Sequence, residues 1–189
     1  RQSVLDRIFR SLSGLDLRDQ GEILKTATFD TRTHWPPAGR LPTGFDPARL
    51  LEVGRNPGLG VRSLHAEGIT GKGVRVAIID QPLLRDHEEY AGKLEKYTSI
   101  DCEGVEPCMH GVAVASLLVG ERCGTAPGAS LFYWAEPSWK NDYAQRTEAL
   151  RQILAFNAGQ PLDLRIRVVS VSIGFWPNYA NVARWREAL

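Results

Sequence analysis

The run Val74-Arg75-Val76-Ala77-Ile78-Ile79-Asp80 constrains the fold more than any other stretch of the chain. It is short, β-branched and almost wholly apolar, which is the composition of a strand covered on both faces in a parallel sheet. It ends on a carboxylate. In open parallel sheets, reactive and ligand-binding groups gather beyond the carboxyl ends of the strands, so Asp80 is a candidate for chemistry as well as for a turn cap. Strand patterns recur at Lys93 to Ile100, Ser130 to Ala135 and Arg165 to Ile173. Helical patterns fall between them: one from His110 to about Gly120, and one opened by Asn141 or Asp142 as N-cap and stopped by Gly159 and Pro161. A third begins near Tyr179 and is still running at Leu189. The order β-β-α-β-α-β-α predicts an α/β fold with a doubly wound parallel sheet, interrupted before its end.

With 189 residues the chain can form one domain with a proper core, or most of a larger one. A net charge of +1 gives no reason to expect nucleic acid or an anionic membrane as partner, and the apolar runs are far too short to span a bilayer. The start at Arg1, with Met109 as the only methionine, reads as a processed or excerpted chain without a signal peptide. Compartment therefore stays open. Cys102, Cys108 and Cys123 are too few for a disulfide scaffold, although the first two could close a small loop.

Residues 1–60 read as an amino-terminal extension. Residues 1–27 carry helical signals, with Val4, Leu5, Ile8, Phe9 and Leu12 on one face and a second short helix from Asp19 to Thr26. From Thr31 to Gly60, prolines and glycines predict an irregular segment with one helical turn at Pro47 to Val53. Residues 61–189 form the second region.

The helix opened by His110 is the other unusual stretch. It pairs one imidazole with Gly-Val-Ala-Val-Ala-Ser-Leu-Leu-Val, a sequence expected to be buried on all sides. The positive end of the helix dipole disfavours an imidazolium in the first turn, and a neutral, oriented imidazole is what a general base requires. A satisfied core or capping histidine is the plainer alternative.

Three pieces then stand in one order: a strand ending in Asp80, a helix opened by His110, and a strand ending Ser172-Ile173-Gly174. This order resembles the subtilisin-like serine proteases, the subtilases. Thr70-Gly71-Lys72-Gly73 with the run to Asp80 is similar to the family's lead into its catalytic aspartate. His110-Gly111-Val112-Ala113-Val114-Ala115 is similar to its histidine helix, and Gly124-Thr125-Ala126-Pro127-Gly128 to the turn that follows. The resemblance covers residues 64–189. It implies Asp80 as the group that orients the imidazole and His110 as general base and acid. It implies Ser170, Ser172 and Gly174 as the edge that binds an extended polypeptide substrate.

Several positions depart from the family pattern. Gln81-Pro82 follow the aspartate, Val112 stands for the usual threonine, and Ser116 for the usual glycine. None of the serines after His110 has the Gly-Thr-Ser context of the family nucleophile. The resemblance thus implies the amino-terminal part of a catalytic domain, with the serine beyond Leu189 and residues 1–189 alone inactive. A second polypeptide carrying the rest of the domain would then be a partner. No cofactor is expected. Glu88 or Glu89 falls near where some members hold calcium, but without a clear ligand set.

Two other readings compete. One is a catalytically dead, peptide-binding module that uses the Ser170–Gly174 edge. The other is a nucleotide or phosphoacceptor domain, disfavoured because Gly71-Lys72-Gly73 precedes its strand instead of opening a helix. Residues 1–60 also lack the strand pattern of the β-rich inhibitory pro-segments common in the family.

Overall fold

The computed structural model describes residues 11–189. The predicted helix face from Val4 to Phe9 lies outside them. The chain divides between Asn56 and Pro57 into two units.

In the first unit, Leu12, Leu17 and Leu24 form a small buried cluster with Trp35, Leu41 and Phe45 against it. The helical reading is corrected here over residues 11–20. The Leu12 and Leu17 amides donate to the carbonyls of His34 and Arg40, at 2.7 and 2.8 Å, rather than to residues one turn earlier. Within residues 11–27 one helical turn forms, α1 (Gly21–Leu24), with no side-chain cap. Helix α2 (Pro47–Gly54) is better specified: Pro47 sits at its first position and Asp46 accepts the Arg49 amide at 3.0 Å.

The second unit opens with α3 (Val61–Ala66) and is built on a sheet of β1 (Arg75–Asp80), β2 (Leu94–Ser99), β3 (Ser130–Ala135) and β4 (Ile166–Val171). Among the described residues the order is β2-β3-β1-β4, and every neighbouring pair is parallel. Between β2 and β3 runs α4 (Met109–Val119), and between β3 and β4 runs α5 (Ala144–Ala158); α6 (Val182–Ala188) follows β4. Alternation along β1 serves both faces. Val76 and Ile78 pack with Ala115 and Val119 of α4, while Ala77 and Ile79 pack with Ala149 and Ile153 of α5. Strands β1 and β3 are therefore covered on both sides, as the central strands of a doubly wound α/β fold must be, while β2 and β4 at the edges are partly exposed.

The two helical crossovers move across the sheet in the same direction on opposite faces, so they have opposite hands. The β1–β2 connection moves the other way and sends Leu83 and Tyr90 into the α4 side, so it shares its hand with the α5 crossover. Since almost all such connections are right-handed, the α4 crossover is the left-handed one.

Helix α4 is not buried all round. Gly111, Ala115 and Val119 form its inner stripe, and Met109 and Leu117 are exposed. The stripe is made of small residues because the helix lies close to the sheet. A Cβ on Gly111 would stand 2.6 Å from the Gln81 carbonyl oxygen. The turn after the helix satisfies carbonyls that its last residues leave unpaired: the amides of Thr125 and Ala126 donate to Leu117 and Leu118, at 2.9 and 2.8 Å. The same turn is held from the other side, where the Gly128 amide donates to Thr70 at 2.8 Å.

Two further boundaries are corrected. Strand β4 ends at Val171 rather than Ile173, because the Ile173 amide turns back to the Val171 carbonyl at 3.0 Å. The last helix begins at Val182 rather than near Tyr179, because Asn181 takes a left-handed backbone (φ 57°) and its amide side chain donates to Asp142 at 2.7 Å. Neither expected residue is the N-cap of α5: that position is Tyr143, without a side-chain cap, while Asp142 before it accepts the Ala144 amide at 2.9 Å and Asn141 takes a left-handed backbone.

Candidate active site

Asp80 is the last residue of β1 and is buried, 5% exposed. His110 is the second residue of α4, whose N-terminus lies at the carboxyl end of the sheet. The two meet there: His110 Nδ1 is 2.7 Å from Asp80 Oδ1. The same oxygen accepts the Gln81 amide at 2.7 Å, which fixes the carboxylate in place. An ionised carboxylate only accepts hydrogen bonds, so Nδ1 carries the proton and Nε2 keeps the lone pair of the neutral ring. The imidazole side chain is about half exposed, 49%, against 4% for the carboxyl. A buried acid thus holds a half-exposed imidazole through one ring nitrogen.

The dyad borders a cavity of about 140 Å³, lined also by Glu136, Arg146, Ser172 and Ile173. Of the predicted substrate-edge residues, Ser170 lies in β4 opposite Ile78, and Ser172 reaches the cavity. Gly174 lies past the strand, where its carbonyl accepts the Tyr143 hydroxyl at 3.3 Å. Strand β4 is an edge of the sheet among the described residues.

The departures near the aspartate have structural work. The Gln81 side chain donates to Ser138 Oγ at 2.9 Å, and its carbonyl accepts the Tyr133 hydroxyl. Burial, with the Asp80 charge adding to it, pushes the Tyr133 hydroxyl upward, so it stays a neutral donor. This bond and Gly111 meet at one point, since a Cβ on Gly111 would collide with both partners.

Glu136 and Arg146 were not singled out from the sequence. Glu136 directly follows β3, and the strand-end argument that marked Asp80 applies equally to it. Arg146 gives no such signal, because a lone arginine in a polar helix reads as solvated. Both are 1% exposed and form an ion pair. Burial pushes the Glu136 carboxyl up; Arg146 opposes this and the nearby Asp80 adds to it.

Glu88 and Glu89 both face the Arg122 guanidinium, which donates to Glu89 at 2.7 Å. Among the described residues no cluster of three or more His, Cys, Asp or Glu groups could hold a metal ion. Burial pushes the Cys102 thiol up to about 11. No helix among the described residues is long and apolar enough to cross a membrane.

No family model matches the chain. Over 131 residues it is 30% identical to the subtilisin-like protease PopC of Myxococcus xanthus (strain DK1622), a match covering 61% of this chain and 28% of that protein. Among solved structures it is similar to the prenylagaramide maturation protease PagA, with a TM-score of 0.50 and 22% identity over 69% of this chain and 45% of that one. The second likeness is one of fold. The chain spans well under two thirds of the length of either relative. The α/β unit is subtilase-like, and both relatives are proteases.

Proposed function

We propose that this subtilase-like unit supplies the acid and the base of a serine endopeptidase. The single observation that carries the reading is the 2.7 Å contact from buried Asp80 to His110 Nδ1, which leaves Nε2 free beside a cavity. A serine hydroxyl becomes a competent nucleophile only when a base takes its proton as it attacks. His110 Nε2 takes that proton and returns it to the leaving amine, while Asp80 keeps the ring in the required tautomer. The hydroxyl comes from a segment outside residues 1–189, in the same polypeptide or in a second one. An extended polypeptide substrate lies along the β4 edge and the Ser172–Gly174 segment that continues it. No nucleic acid, membrane or metal has a part in this reading.

Fluorophosphonate labelling of the protein from its natural source tests it, read by intact mass. The expected result is one adduct on a serine outside residues 1–189, lost in His110→Ala. A source protein that ends at Leu189 and takes no adduct would leave the peptide-binding module as the better reading. Residues 1–189 alone are expected to cleave no member of a broad peptide library.

A further inference from the structure

The dyad accounts for two of the four ionisable side chains at the cavity. The other two, Glu136 and Arg146, are joined by a hydrogen bond from Arg146 Nη2 to Glu136 Oε1. Their remaining atoms are poorly served: Glu136 Oε2 and Arg146 Nε and Nη1 are buried without a hydrogen-bond partner among the described residues. A buried ion pair with unmet donors and acceptors is a poor source of stability, and apolar replacement of such pairs is often neutral or stabilising. Its position offers another reason for its presence.

On one side, the Glu136 backbone amide donates to the Asp80 carbonyl at 2.8 Å, which sets its main chain beside the residue that holds His110, and its carboxyl group lines the same cavity as the dyad and feels the Asp80 charge. On the other, the Arg146 guanidinium lies 5.2 Å from the centroid of the Tyr143 ring. The Tyr143 hydroxyl donates to the Gly174 carbonyl and accepts the Trp176 amide at 2.9 Å. Tyr143 itself is fully buried. The pair therefore stands between the dyad and the segment that continues the β4 edge, touching the supports of both.

We propose that Glu136 and Arg146 are positioning residues that hold the Asp80–His110 dyad and the Gly174–Trp176 segment in one fixed relation across the cleft. Arg146 bridges because a guanidinium offers a planar fork to a carboxylate and a flat face to an aromatic ring at once, which lysine does not. The charged and titratable groups around the pair come from each element against it: Asp80 from β1, Cys102 from the loop after β2, and His110 from α4. The functional weight of the inference rests on the protease reading, but its test does not, since both readouts below are made on the chain itself.

The first readout needs no variant. In the wild-type chain, the Arg146 Nε–H resonance is followed by NMR while His110 titrates. It is expected to move with the His110 midpoint, and a resonance that stays put would overturn the proposal. The second uses Glu136→Leu with Arg146→Met, which removes both charges together and leaves no unpaired ion. In the folded double variant the Trp176 amide should exchange about tenfold faster, the equivalent of one weakened hydrogen bond, and the His110 midpoint should shift. Arg146→Lys should restore neither fully. A folded double variant with both readouts unchanged would reduce the pair to a structural role. Failure of the complete protein to take a serine adduct would remove the protease reading and leave these readouts standing.

Discussion

Helices α4 and α5 cover opposite faces of the same sheet and reach the same cavity, yet they are seated by opposite means. Helix α4 meets the sheet through what its residues lack: Gly111, Ala115 and Val119 allow close approach, and His110 arrives at Asp80 because nothing bulky holds the helix away. Helix α5 brings bulk and charge inward, burying Arg146 and Thr147 in the same layer as Ala149 and Ile153. Close apolar docking fixes the Asp80–His110 pair, and a buried charge stands behind it. The lesson concerns tolerance. The α4 contact should fail when atoms are added, and the α5 contact when one charge is taken away.

The largest effect should come from the Asp80–His110 pair itself. In the complete protein, Asp80→Asn is expected to lower kcat by about 10⁴, as in the serine-protease example where the same change imposes the wrong tautomer. A loss under tenfold in steady-state hydrolysis would remove Asp80 from that role. On the α5 side, Arg146→Met alone leaves Glu136 buried without its cation and should destabilise the chain by about 3–5 kcal/mol. Adding Glu136→Leu should recover most of that in urea titrations. A single variant as stable as the double would contradict a buried charge at this position.

On the α4 side, Gly111→Ala places a methyl against backbone at Gln81, which cannot swing aside. It should cost about 1–3 kcal/mol of stability, a typical overpacking penalty, and weaken the His110 Nδ1–H resonance. Unchanged stability and an unchanged resonance would show that the helix is not held by close approach. The smallest effect is a pH dependence. The Cys102 thiol is raised in the fold, from 9.0 to about 11, so the native state retains its proton where the unfolded chain loses it. Its contribution is present below pH 9 and is lost as pH rises through about 11. Wild-type urea midpoints should fall over that range more steeply than those of Cys102→Ala.

Asp80 and His110 were legible in sequence because each sits at the end of an element whose composition is itself distinctive. Strands β1 and β3 were legible for the same reason: a strand covered on both faces has little choice but to be apolar along its length. Arg146 was not legible, since nothing in Ala144–Ala158 marks which polar residue faces inward; that depends on Glu136 arriving from the end of β3. Residues 11–20 were misread because their apolar spacing suits a helix, while their amides pair with a later loop. The β4 boundary failed for a related reason: edge position is a property of the sheet, and no residue of the strand carries it.

The strand order has a consequence for how the molecule comes into being. Arg75 of β1 pairs with Ser130 on one side and Ile166 on the other, while β2, the next strand in sequence, lies elsewhere. At synthesis rates of roughly 5–20 residues per second, β1 waits several seconds for its first neighbour and longer for its second. Loop closure over such separations slows folding, because chain entropy is lost before the contacts that reward it form. Until β3 arrives, an apolar ribbon tipped with the aspartate has neither edge paired. The site at its end is thus among the last parts of the unit to be assembled.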